Sequence, residues 1–175
     1  MLSRSARHTA ALAAILTSAT LVHVGYGQYT GARTPTSRLS GFEVGEPLPK
    51  LALRPLAGQP AADAPPVAAG VCRLLVFFSV TCEHCHTAAR RDAATPDSLR
   101  LPTLWVSHTD DPAAASFAAA LRGVAPVMYG GPTAFQKMDV LGAPAAFLVM
   151  PRGNVRWVGG YVGGAEYHRL VREKC

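Results

Sequence analysis

Charged residues are scarce in this 175-residue sequence, 16% in all beside 49% hydrophobic, and that scarcity sets the first exclusions. A disordered or acidic-tail chain needs dense charge and little apolar material, the reverse of this composition. No basic run is interleaved with aromatics, so the net charge of +6 reads as scattered, solubilising charge and not as a nucleic-acid footprint. Cysteine is sparse too: four residues are too few for a disulfide-dense scaffold, so each needs its own explanation. No Gly-rich phosphate loop is present, because Gly130-Gly131 and Gly163-Gly164 lack a following Lys-Ser or Lys-Thr. Ser79 and Ser107 stand outside any Gly-x-Ser-x-Gly setting, which leaves hydrolase chemistry unsupported.

What is present begins with a leader. Arg4, Arg7 and His8 form a basic start, Thr9 to Val24 carries no formal charge, and Gly25-Tyr26-Gly27 offers small residues at the positions a signal peptidase inspects. The apolar run is slightly short for a membrane span, which needs about 20 residues. Residues 1–27 are therefore expected to be a cleaved signal peptide, with an uncleaved N-terminal membrane anchor as the rival. Either reading exports the body to a periplasmic or other extracytoplasmic, oxidising compartment, and any membrane contact would be through this segment alone. Residues 28–41, punctuated by Thr30, Gly31, Thr34 and Pro35, read as a flexible linker, and residues 42–175 as one domain.

Along that domain, Leu48 to Leu56 reads as a short first strand between prolines, and Ala57 to Gly70 as an exposed connection. Cys72 to Val80 is a continuous apolar run whose length suits a strand buried on both faces. A helix follows from Glu83 and stops before Pro96. Thr103 to Ser107 is a third strand, and Asp111-Pro112 caps a helix carrying Phe117 and Leu121. Gly123 to Leu141 leaves room for a short strand and a short helix. Ala145 to Met150 and Val155 to Gly159 form a hairpin around Pro151–Asn154, and Ala165 to Lys174 closes the chain as a helix with Tyr167, Leu170 and Val171 on one face. This order implies an α/β fold, a central sheet with helices on both faces.

The chemistry concentrates at Cys82-Glu83-His84-Cys85, where a buried strand hands over to a helix. At a helix N-terminus the free backbone N–H groups and the macrodipole stabilise an anion, so the first thiol ionises more readily. The second cysteine lies one turn on, close enough for the two sulfurs to bond. Cys82 is then the attacking thiolate and Cys85 the shielded resolving thiol.

With these residues the sequence resembles the thioredoxin superfamily, in its exported TlpA-like branch. The matching pieces are Gly45-Glu46-Pro47-Leu48-Pro49, FFSVTCEHC at Phe77–Cys85, and Gly142-Ala143-Pro144 before AAFLVM, in one co-linear order from about Phe42 to Lys174. The resemblance implies a thioredoxin-like fold with a central mixed sheet. It also implies thiol–disulfide oxidoreductase activity on protein thiols and disulfides, an upstream electron donor or acceptor protein, and cytochrome c maturation among the settings. No cofactor is expected beyond the Cys82–Cys85 redox-active disulfide, and no nucleic-acid partner. Pro144 would be a cis-proline facing the two sulfurs, with Ala143 beside it forming the substrate groove.

Departures from the family pattern also inform. Thr81 replaces the Trp that many thioredoxins place before the first cysteine, and Val76 replaces the buried acid of cytosolic thioredoxins. Glu83 becomes the nearest proton acceptor, or else a first-turn carboxylate that merely suits the helix dipole. His84 would favour the Cys82 thiolate and an oxidising couple, whereas Glu83 would do the reverse, so the direction of electron flow stays open. In this topology Cys72 starts the strand that ends at the site, and the terminal helix brings Cys175 back towards it. A structural disulfide between the two is expected, with two free thiols as the alternative.

Other readings compete for the same residues. Cys82-Glu83-His84-Cys85-His86 also satisfies the Cys-x-x-Cys-His haem-attachment motif, with His86 proximal and Met128, Met138 or Met150 distal. Against this, the sheet-like surroundings are foreign to the mainly helical cytochromes c. A Cu(I) or Zn module built from Cys82, Cys85 and one of His84, His86 or His108 is the main alternative. Peroxidase chemistry is disfavoured, because no Pro-x-x-x-Thr approach precedes Cys82.

Overall fold

A computed structural model of the chain describes residues 39–56 and 70–175. The expected leader, the linker as far as residue 38 and residues 57–69 of the expected connection lie outside the described residues. Element order is β1 (Arg54–Pro55), β2 (Arg73–Phe78), α1 (Glu83–Ala93), β3 (Thr103–Ser107), α2 (Pro112–Ala120), β4 (Val127–Tyr129), α3 (Gly131–Lys137), β5 (Ala145–Val149), β6 (Val155–Gly160) and α4 (Ala165–Arg172).

The strands form one mixed sheet in the order β1-β4-β3-β2-β5-β6. β2 runs parallel to β3 and antiparallel to β5, so the most apolar strand has hydrogen-bonded neighbours on both sides. Side chains alternate along it, as a two-residue repeat requires. Leu74, Val76 and Phe78 join Trp105, Ala146 and Leu148 in a core beneath α1, α2 and α4. Leu75 and Phe77 face the other way, onto Leu104, Val106, Phe147 and Ala134 of α3. Every residue of β2 is buried, as its sequence demands.

Helix boundaries follow their capping chemistry. Asp111 Oδ1 accepts from the Ala114 N–H at 2.8 Å, with Pro112 at the first helical position, and together these start α2. At the far end of α1, Thr95 donates its hydroxyl to the Arg91 carbonyl just before Pro96. Gly123 to Leu141 resolves into the short β4 and the short α3.

Three details depart from the sequence reading. The expected first strand narrows to Arg54–Pro55, paired antiparallel with Tyr129 and Met128. Proline has no N–H for a ladder, and Pro47, Pro49 and Pro55 leave little of this segment able to pair. In α4 the buried face is Tyr167, His168 and Val171, whereas Leu170 is 62% exposed. The helical angle carries the buried stripe through position 168, so the apolar Leu170 lies off it. Residues 39–41 of the expected linker are held to the domain: the Ser40 hydroxyl donates to the Met138 carbonyl and the Gly41 N–H to the Asp139 carbonyl.

Cys72 and Cys175, 103 residues apart, are joined by a disulfide with Cα atoms 6.2 Å apart. It ties the start of β2 to the chain segment after α4. Closing a loop of that size restricts the unfolded chain by an amount worth about 4–5 kcal/mol. Cys175→Ser is expected to lower stability by about that much in non-reducing urea titrations. Variant and parent should unfold alike once excess reductant is present; equal non-reducing stabilities would deny the crosslink this role.

Candidate functional site

β2 ends at Phe78, and the chain turns through Ser79–Thr81 into α1. The turn is closed by the Cys82 N–H on the Ser79 carbonyl at 3.1 Å, while the Ser79 and Thr81 hydroxyls share a hydrogen bond of 3.0 Å. Cys82 is the N-cap of α1, with extended backbone, and its sulfur accepts from the Cys85 N–H at 3.2 Å. A cap that is usually filled by a hydroxyl or carboxylate is filled here by sulfur. An electron-rich sulfur at this place satisfies a backbone donor that the helix cannot.

Both cysteines are free thiols, Cys82 half-buried and Cys85 buried. Burial pushes the Cys85 thiol far above the ordinary thiol range, and its interaction with Cys82 adds to the rise. One sulfur is therefore reachable, and the other is held protonated behind it.

Opposite the pair, the Ala143–Pro144 peptide bond is cis. The Cys82 thiol donates to the Ala143 carbonyl at 3.5 Å, so this loop lies directly against the accessible sulfur. Pro144 itself is buried, and its carbonyl accepts from the Tyr161 N–H at 3.1 Å. Cys82, Cys85, Ala143 and Pro144 thus meet at one end of the sheet.

The remaining site candidates are spread around them. Glu83 and His84 are exposed on the first turn of α1, and Thr81 is exposed before it. Val76 is buried in the core beneath α1, which places no acid there. His86 has Nε2 2.9 Å from the Val80 carbonyl and its ring edge-on to Phe117 at 5.1 Å. His108 lies edge-on to Phe135, at 5.5 Å.

These placements bear on the competing readings. For haem, the proximal nitrogen of His86 is occupied, and the second attachment sulfur, Cys85, is buried. Met128 and Met138 belong to the core on the opposite face of the sheet from α1, and Met150 sits 3.9 Å from the Cys72 sulfur at the other end of β2. The residues present do not fit a haem. Among the described residues no group of three His, Cys, Asp or Glu side chains is arranged to hold a metal ion.

A buried polar cluster near the site escaped the sequence reading. Asp92 Oδ2 accepts from the Tyr161 hydroxyl at 2.6 Å, while Oδ1 accepts from the Gly164 N–H at 3.0 Å and lies 3.1 Å from His168 Nε2. The available signal was spacing: Asp92 is seven residues beyond Cys85, on the same buried stripe as Ala88 and Ala89.

The two thiols should differ sharply towards alkylating agents. At neutral pH iodoacetamide is expected to modify Cys82 and to spare Cys85 until the chain is unfolded, as peptide mapping would reveal. Because burial raises the Cys85 value, its protonated form contributes stability that is intact below the unfolded value of about 8.5 and is lost as pH rises beyond it. Reduced protein should therefore unfold at lower urea concentration as pH climbs past that value, and a flat profile would contradict the burial argument.

No protein-family model matches the sequence, and no curated protein matches it either. Solved structures do match in fold. StoA from Bacillus subtilis aligns at a TM-score of 0.55 and 16% identity, over 73% of this chain and 99% of that one. A thiol-disulfide isomerase from Corynebacterium glutamicum aligns at 0.54 and 18%, over 74% and 96%. A peroxiredoxin-like protein from Aquifex aeolicus aligns at 0.54 and 14%, over 77% and 88%. Proteins of more than one named type share this architecture, so residues at the site, not the fold, must decide the chemistry. The chain has the thioredoxin-like fold.

Proposed function

We propose that this protein is an exported thiol–disulfide oxidoreductase acting on protein disulfides or thiols through Cys82 and Cys85. One observation carries the reading: a half-buried sulfur caps α1 beside a cis-proline loop, with a second, buried sulfur one turn behind it. An accessible sulfur can be approached by a partner, whereas the buried one can react only with its neighbour.

In the reducing direction, the Cys82 thiolate attacks one sulfur of a partner disulfide. A mixed disulfide forms and the partner's other sulfur leaves as a thiolate. Cys85 then gives up its proton and attacks Cys82, releasing the partner's second sulfur. Two electrons pass to the partner, and the protein ends with a Cys82–Cys85 disulfide. Oxidation of a partner dithiol runs the same steps backwards. The buried Cys85 delays the second step until the mixed disulfide has formed, which favours a partner staying bound through the first.

The groove role falls to Ala143 and Pro144. A cis bond here turns the chain so that the Ala143 backbone faces Cys82, where an extended peptide could pair beside the sulfur. Thr81, Glu83 and His84 act as modulators around the attacking sulfur, with the carboxylate and the imidazole pulling its electrostatics in opposite directions. Export is supported by the leader and by the Cys72–Cys175 disulfide, a bond that persists in oxidising compartments. Cytochrome c maturation is one setting compatible with this reading and general protein disulfide reduction or oxidation is equally compatible, with a separate protein supplying or removing the electron pair.

Cys82→Ser is expected to abolish turnover of a protein disulfide such as insulin, and Cys85→Ser to accumulate covalent mixed disulfides visible on non-reducing gels. Retained turnover in Cys82→Ser would overturn the assignment. Equilibration with glutathione then separates the directions: a potential near about −270 mV marks a reductant and one near about −120 mV an oxidant.

A further inference from the structure

Tyr161 is bonded to both halves of the site. Its N–H donates to the carbonyl of cis-Pro144 at 3.1 Å, and its hydroxyl donates to Asp92 Oδ2 on α1 at 2.6 Å. One residue therefore spans from the loop opposite Cys82 to the helix that carries Cys82 and Cys85.

The anchor on α1 is rigid. Asp92, Tyr161 and His168 are all at most 2% exposed. The Leu101 N–H donates to His168 Nδ1 at 3.3 Å, which leaves the proton on Nε2, facing the Asp92 carboxylate. Burial, with the Asp92 charge beside it, holds the Tyr161 hydroxyl protonated far above its usual range, so it remains a donor. The Tyr161 ring is wedged edge-on between Trp105 at 5.4 Å and Tyr167 at 4.8 Å. The following loop also closes on α1. Gly163 has φ +67°, and a Cβ there would fall 2.3 Å from the Ala88 carbonyl oxygen, while Arg91 donates to the Val162 carbonyl at 3.3 Å.

We infer that Tyr161 is a positioning residue that fixes how closely the Ala143–Pro144 loop approaches Cys82, and thereby sets the thiol–thiolate balance of Cys82 and the fit of a bound peptide. The inference rests on the reading of Cys82 as the attacking sulfur. Its physical basis is the 3.5 Å contact between the Cys82 sulfur and the Ala143 carbonyl. A carbonyl oxygen accepts from the thiol and repels the thiolate, so its distance weights the two forms. Without the Tyr161 hydroxyl the loop keeps its backbone bond but loses the direct Tyr161–Asp92 link to α1, leaving only the bonds of Val162 and Gly164 beyond it, and the carbonyl can recede.

The test uses the full-length protein and Tyr161→Phe, which keeps the ring and removes the hydroxyl. The rate of Cys82 alkylation by iodoacetamide, followed against pH, is expected to rise about threefold on the ascending limb, as its midpoint moves to lower pH. KM for a protein disulfide should rise about threefold with kcat little changed. Tyr167→Phe is the control, because that buried hydroxyl has no hydrogen-bond partner among the described residues and the ring sits in the same aromatic stack. It should move neither readout. A Tyr161→Phe profile superimposed on the parent's, or an equal shift in Tyr167→Phe, would overturn the inference. If Tyr161→Phe does not fold, Asp92→Asn weakens the same tie and carries the same expectation and the same refutation. Alkylation reads the strut without any turnover, so a parent protein inactive towards disulfides would defeat the proposed function while leaving this measurement decisive.

Discussion

Strand β2 is buried from Arg73 to Phe78, hydrogen-bonded to β3 on one side and β5 on the other, and covered by side chains on both faces. Such a strand has no freedom to slide, because a shift of one residue would exchange Leu74, Val76 and Phe78 for Leu75 and Phe77 in two differently shaped cores. Where it ends, α1 must begin, and Cys82 inherits the capping position. The accuracy with which two small sulfur atoms are presented thus derives from the packing of six apolar or long side chains beneath them, not from contacts the sulfurs make themselves.

The same strand explains why the site can combine reach with restraint. Cys82 sits at the rim, where the turn leaves the sheet, and Cys85 falls on the buried stripe of α1 with Ala88, Ala89 and Asp92. A helical repeat that places residue i+3 inward separates an accessible group from a shielded one without any special loop. The cis Ala143–Pro144 bond opens β5, which pairs with β2 through Ala145 and Phe77, so the loop facing the sulfurs is carried by the next strand in the sheet.

Much of this was legible in the residues. The apolar run of β2, the Asp111-Pro112 start of α2 and the hairpin around Pro151–Asn154 are strong local signals, and the structure places elements where they point. The stretch Leu48–Leu56 misled because apolar content indicates burial, whereas its prolines limit pairing to two residues at an edge. Leu170 is apolar yet points outward, because the helical angle of α4 assigns the inward position to His168. Of the Asp92–Tyr161–His168 cluster, helical spacing marks only Asp92, and its partners are hidden for a different reason. Its members are far apart in sequence, and polar residues bury only when their partners arrive from elsewhere in the fold, which no local pattern announces.

The molecule carries two pairs of sulfurs, and β2 keeps them apart. Cys72 enters the strand at one end and Cys82 lies beyond the other, separated by six strand residues that span about 20 Å. Disulfide scrambling requires three sulfurs nearly in line, and no loop motion around α1 can bring Cys82 across the length of a packed sheet. The intact fold therefore keeps the Cys72–Cys175 crosslink out of reach of the accessible Cys82 sulfur, so the two cysteine pairs stay chemically separate while the sheet is packed.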